Sequence, residues 1–140
     1  MNMRRKMETL RAGLKGQKES IVQEGDLASS MSSGSLPVLA TPILICTAER
    51  ACKELVLPYL DEGKSTVGTL VNIRHLAPTP LGMKYRCECE LTEVEGRLLR
   101  FHVILSDEVE VIGEGVHERV IIDNARFLEK AERKSTASRV

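Results

Sequence analysis

The spacing of apolar residues changes once along this chain, and the change divides it into a helical and a strand-forming part. Over residues 42–57 the apolar positions recur at helical intervals. At about 100° per residue, Leu44, Ile45, Ala48, Ala51, Cys52, Leu55 and Val56 share one broad face. Thr47, Arg50, Lys53 and Glu54 fall opposite, with Ile43, Cys46 and Leu57 among them. A helix this apolar is expected to be substantially buried. Thr41-Pro42 supplies its start, because threonine caps free amides and proline suits the first turn. Pro58 and the turn Asp61-Glu62-Gly63 end it.

Beyond that turn the period falls to two. Val67, Thr69, Val71, Ile73 and His75 alternate along a first strand. Met83, Tyr85, Cys87, Cys89 and Leu91 oppose Lys84, Arg86, Glu88 and Glu90 on a second, the pattern of a half-buried strand. Glu95-Gly96 makes a tight hairpin into Leu99, Phe101, Val103 and Leu105. Asp107-Glu108 turns into a last strand over about residues 109–122. Upstream, residues 13–22 offer a short strand, and the serine-rich stretch 25–35 reads as a loop placed to cover a site. One helix followed by a meander of four predicts an α+β fold, a curled antiparallel sheet wrapped around one long central helix. The domain reading is an N-terminal tail or short helix over 1–12, one domain over 13–124 and a polar C-terminal tail over 125–140.

Composition removes several function classes. Lys+Arg and Asp+Glu balance at 20 each, so no overall field draws the chain to nucleic acid or to an anionic membrane. Aromatics are 3% and Trp is absent, which disfavours a base-stacking platform. The four cysteines (Cys46, Cys52, Cys87, Cys89) form no CxxC pair, so no metal site is expected. They read as reduced core residues in a cytoplasmic protein. No apolar run reaches the ~18 residues of a membrane span.

Three polar residues stand against the greasy stretch: Thr41, Glu49 and His75. A hydroxyl, a carboxylate and an imidazole meeting in a water-poor cleft are the parts of acyl-transfer chemistry. Each also has a plain alternative. Thr41 is what a helix cap looks like, Glu49 stands four residues before Lys53 as in a surface ion pair, and His75 suits a satisfied core histidine. His117 and Arg119 alternate with Gly113 and Gly115, whose small size either admits a ligand or permits close backbone packing. His102 reads as a surface residue.

An ordered set of residues resembles the fluoroacetyl-CoA thioesterase-like family of the hotdog fold over about residues 39–122. The set comprises Ala40-Thr41, Glu49, Ala51-Cys52, Pro58-Tyr59-Leu60, Gly68-Thr69, His75, Ala77, Thr79-Pro80 and Gly82. It continues with Val94-Glu95-Gly96-Arg97 and closes on Ile112-Gly113-Glu114-Gly115-Val116-His117-Glu118-Arg119. The resemblance implies a homodimer, extensible to a tetramer, with active sites near the dimer interface. It implies catalysis by Thr41, Glu49 and His75, with Gly68 contacting substrate and coenzyme and Arg119 at the substrate end. The implied activity is hydrolysis of a small or medium acyl-CoA, with no separate cofactor because coenzyme A is part of the substrate. The alternatives are a non-catalytic acyl-CoA-binding or metabolite-sensing protein on the same fold, and a hydratase or dehydratase. Family members of the fluoroacetate-resistance type carry phenylalanines before the threonine as a gate. Here that segment is Ser35-Leu36-Pro37-Val38-Leu39, and Pro42 follows Thr41 where a smaller residue is common.

Overall fold

The computed structural model of the protein describes residues 9–138, so the tail or short helix expected over 1–12 falls mostly outside the described residues. The chain forms β1 (Lys15–Ile21), a 3-10 turn (Glu24–Asp26), the short helix α1 (Ala28–Met31) and the long helix α2 (Thr41–Val56). A 3-10 turn (Leu57–Tyr59) leads into β2 (Lys64–His75), followed by β3 (Lys84–Glu95), β4 (Leu98–Asp107), β5 (Val111–Asp123) and α3 (Asn124–Ala137). The strands make one antiparallel sheet in the order β1-β3-β4-β5-β2. Helix α2 packs across β1, β2, β3 and β4. The α+β architecture expected from the change of period is therefore present. Only β3, β4 and β5 run as a meander; β2 pairs with β5 and leaves its other side as a sheet edge. No helix among the described residues is long and apolar enough to cross a membrane.

Burial of the expected faces holds this arrangement together. Leu44, Ala48, Ala51, Cys52 and Val56 of α2 are buried against Tyr85, Cys87, Cys89 and Leu91 of β3 and Leu99, Phe101, Val103 and Leu105 of β4. The cysteines are all free, with Cys46 exposed and the other three buried. Burial, with the neighbouring Cys89, pushes the Cys87 thiol up to about 12. A thiol so hard to ionise is a core residue rather than a nucleophile.

Three expectations need correction. Thr47, placed on the polar face of the helix, is buried: its hydroxyl lies 3.2 Å from the Ile43 carbonyl and 2.8 Å from the Tyr85 hydroxyl. Two buried hydroxyls satisfy each other there, which is what allows both to leave water. The serine-rich loop contains a helical turn, Ala28–Met31, ended by Ser32 at φ 62°. The polar C-terminal tail is helical over Asn124–Ala137, capped by the Asp123 carboxylate, which accepts from the Arg126 N–H at 3.1 Å. Its residues are exposed, and its low mean hydropathy reads as a polar tail although Phe127, Leu128 and Ala131 fall together on one side.

One irregularity decides which way the site residues point. Gly68 pairs with Arg119 and Leu70 with Glu118, so Thr69 is an extra residue, a β-bulge in β2. Side chains alternate between faces along a strand, and one added residue inverts the alternation. The expected face of Val67 to His75 therefore survives only from Val71 onward. Thr66 and Gly68 join His75 on the helix side of the sheet, and Val67 leaves it.

Thr47→Val should cost about 1–3 kcal/mol, the penalty for leaving the buried Tyr85 hydroxyl without its partner. Urea unfolding of the variant beside Tyr85→Phe/Thr47→Val, which should recover part of that loss, checks it.

Candidate active site

Thr41 is not the helix cap that its position before Pro42 suggested. Ala40 occupies the cap position with extended backbone (φ −73°, ψ 143°), and Thr41 is the first helical residue, making no side-chain cap. Its hydroxyl is thus available and lies 2.8 Å from Nδ1 of His75, the last residue of β2. Both partners are pinned by main chain. Ala40 N–H donates to Asp26 at 2.9 Å, Leu39 N–H to Thr79 at 2.9 Å, and Leu76 N–H to Ile112 at 2.7 Å. Nε2 of His75 is buried and has no hydrogen-bond partner among the described residues. Burial pushes the imidazole below its ordinary value, with the Ala77 backbone pulling the other way. A neutral imidazole accepting from a hydroxyl is the geometry of a nucleophile and its base.

A second cluster lies further along α2 and β2. Glu49 does not pair with Lys53; its Oε2 accepts from Nη1 of Arg119 at 3.3 Å. Arg119 is only 5% exposed and is held on several sides. Its Nε donates to Thr66 Oγ1 at 2.8 Å, its Nη2 to the Thr66 carbonyl at 3.0 Å, and its Nη1 also to His117 Nε2 at 3.1 Å. A guanidinium only donates, so Nε2 of His117 carries the lone pair. Nδ1 then carries the proton and donates to the Leu70 carbonyl at 2.8 Å. Gly68 roofs the cluster: a Cβ there would stand 2.5 Å from the Glu49 carboxylate and 3.2 Å from the His117 ring. Glycine leaves room for that approach, since a Cβ there would push the Glu49 carboxylate away.

The glycines of β5 also serve packing. A Cβ on Gly115 would collide with the Asn72 carbonyl and Ile73 Cα, and one on Gly113 would press on the Arg74 carbonyl at 3.1 Å. His102 is a surface residue, 3.0 Å from Glu114. Among the described residues no group of three or more His, Cys, Asp or Glu side chains is arranged to hold a metal ion.

The two clusters do not meet within one chain. Thr41 and Glu49 are eight residues apart on α2, roughly 12 Å along the axis. Gly68 and His75 are separated by about 20 Å of β2. The fold thus brings Thr41 to His75, and Glu49 to Gly68 and Arg119, as two half-sites on one face of the sheet.

Residues 22–125 match the model of the fluoroacetyl-CoA-specific thioesterase family. The chain belongs to this family. It is 38% identical over 100 residues to the fluoroacetyl-CoA thioesterase of Streptantibioticus cattleyicolor, covering 71% of this chain and 72% of that one. The structure of the fluoroacetyl-CoA thioesterase FlK superposes with a TM-score of 0.86 at 31% identity, over 91% of this chain and 98% of that one. A Thermus thermophilus member of the thioesterase superfamily gives a TM-score of 0.85 at 28% identity, over 94% and 97% of the two chains. The hotdog thioesterase fold and membership expected from the ordered residue set are both established by these matches.

His117 and Thr66 are the parts of this thioesterase's site that the sequence reading did not assign. His117 was visible beside Arg119, but its partner face on β2 is readable only once the Thr69 bulge is known. Burial, reinforced by the Arg119 charge, holds His117 below its ordinary value against the opposing Leu70 carbonyl and nearby carboxylates. His75 and His117 thus both bind protons less readily folded than unfolded. Their contribution to stability is full above about pH 6.5 and is lost as pH falls through their folded-state values. Urea midpoints should drop between pH 7.5 and 5.5, and His117→Gln should flatten that slope; a midpoint constant across the interval contradicts the assignment.

Proposed function

We propose that this protein hydrolyses a small or medium acyl-CoA thioester to free acid and coenzyme A, using sites shared between two copies of the chain. The observation that carries the reading is the 2.8 Å contact between the Thr41 hydroxyl and His75 Nδ1. It favours Thr41 as nucleophile over a role in positioning alone. In this scheme Oγ1 attacks the thioester carbonyl while Nδ1 takes its proton. The tetrahedral oxyanion forms beside the Thr41 N–H, which donates no hydrogen bond among the described residues and stands at the positive end of α2. Collapse expels the coenzyme A thiolate, which receives the proton from the imidazolium. Water, deprotonated by the same imidazole, then releases the acid and frees Thr41. No cofactor enters, because coenzyme A is part of the substrate.

The edge strand supports the shared site. Two β2 edges paired antiparallel about a two-fold between Val71 and Asn72 set Gly68 opposite the partner subunit's His75. The Glu49 carboxylate then faces the partner's His75 at Nε2, the atom left without a partner in one chain. Leu70 and Val71, each 42% exposed, lie at the centre of that pairing. This reading makes the protein a homodimer at least, with a tetramer a further step, and its free cysteines suit the cytoplasm. Gly68 and Arg119 act at the substrate end, Arg119 by fixing Glu49.

The Ser35–Leu39 segment bears on selectivity. Leu36 is 66% exposed, and Val38 and Leu39 are tied to Pro80 and Leu27 by isolated bridges. With no aromatic side chain there, fluoroacetyl-CoA and acetyl-CoA should be hydrolysed with kcat/KM values within about tenfold of each other, a ratio worth roughly 1.4 kcal/mol. A graded panel of acyl-CoAs, followed by released thiol, measures this.

Thr41→Ala, Glu49→Gln and His75→Ala should each lower kcat at least about tenfold while the protein stays folded. If all three turn over normally, the site is elsewhere. Mixing and reassorting Thr41→Ala with Glu49→Gln dimers should restore about a quarter of wild-type activity, since half the dimers are mixed and each carries one intact site. No recovery on mixing rejects the shared site.

A further inference from the structure

Near the Gly68 end of β2 a cavity of about 380 Å³ opens between the start of that strand, the β3–β4 turn and α3. It falls within the usual size range of small-molecule sites. Lys64, Arg97, Arg126 and Lys130 line it, against the single carboxylate of Asp123. In a chain whose charges balance at 20 and 20, four cations around one cavity are a local departure. None of the four forms an ion pair among the described residues, so no protein carboxylate neutralises their charge there. Asp123 is already engaged, accepting from the Arg126 N–H at 3.1 Å.

The walls are tied together before any ligand arrives. Asn124 N–H donates to the Gly63 carbonyl at 3.0 Å, Ser65 Oγ to Asn124 Oδ1 at 2.5 Å, and Ile121 N–H to the Arg97 carbonyl at 3.0 Å. These bonds fix the backbones that carry Lys64, Arg97 and Arg126. Phe127, 44% exposed, also lines the cavity. It is one of only two phenylalanines in the chain, the other being the buried Phe101. An aromatic face surrounded by unpaired guanidinium and ammonium groups is complementary to a base that carries several phosphates.

From these observations we propose that this cavity binds the phosphorylated adenosine end of coenzyme A. The cations would take the 3′-phosphate and the diphosphate, and Phe127 would stack on the adenine. The inference rests on the acyl-CoA reading of the active site. Lys64 lies four residues from Gly68 on β2, roughly 13 Å at the strand rise, a distance that an extended pantetheine arm spans.

The test uses Arg126→Gln/Lys130→Gln, two exposed positions whose replacement leaves the core untouched. With a short acyl-CoA, KM should rise about tenfold while kcat is retained, and the kinetics on the matching acyl-N-acetylcysteamine thioester should stay as in wild type. Wild-type protein should bind free coenzyme A more tightly than 3′-dephospho-coenzyme A in calorimetry, and the double variant should lose that preference. Equal effects on both thioesters, or no change in KM for the acyl-CoA, overturn the proposal. If wild-type protein hydrolyses neither thioester, the catalytic reading fails. Calorimetry then decides the cavity separately: tighter coenzyme A binding by wild type than by the variant supports it, and equal binding rejects it.

Discussion

The buried guanidinium of Arg119 is the group on which the site end of this sheet depends. A charge withdrawn this far from water is tolerable only if its N–H groups find acceptors. Thr66, His117 and Glu49 supply them, and each does so at a cost to its own freedom. Thr66 gives both its hydroxyl and its carbonyl, which locks β2 to β5 beyond their ladder. His117 is forced into one tautomer. Glu49 is drawn toward the sheet at Gly68, where no side chain stands in the way. One buried charge thereby fixes the position of a carboxylate that the helix alone would leave free to swing.

The other half-site is built on a different principle. Thr41 and His75 are not gathered by a charge but by chain ends: the first residue of a helix and the last of a strand. Main-chain bonds from the 3-10 turn at Glu24–Asp26 and from Thr79 hold the approach to the helix, so the hydroxyl is aimed without relying on its own rotamer preferences alone. The His75 nitrogen turned away from Thr41 is buried and has no partner among the described residues. Such an atom is costly in isolation, and the proposed second copy would supply its partner.

Much of this was legible in the residues. The helical period from Leu44 to Val56 and the alternation from Tyr85 to Leu91 announced the core, because burial on one face imposes those periods. The candidates Thr41, Glu49, His75, Gly68 and Arg119 were recognisable as an ordered set. Their grouping was not. A single extra residue at position 69 reverses the faces of β2, and no local composition marks it. Thr47 was misplaced for a related reason: angle on a helix says which way a side chain points, not whether a hydroxyl such as that of Tyr85 waits there. Helix α3 escaped notice because its low mean hydropathy reads as a polar tail, although Phe127, Leu128 and Ala131 do share one side of it.

The bulge at Thr69 also sets a counting rule for this strand. At its present length the segment between Gly68 and His75 must contain an odd number of bulged residues for both ends to look inward, since two steps restore a face and one reverses it. Losing Thr69 itself would leave six regular steps with both ends still inward, whereas an added residue in the pleated part with the bulge kept would turn Gly68 toward the other face and set a side-chain-bearing neighbour against the Glu49 carboxylate. A change of length is tolerated here only where the bulge takes up or gives back the residue, so the strand and its bulge keep register as one unit.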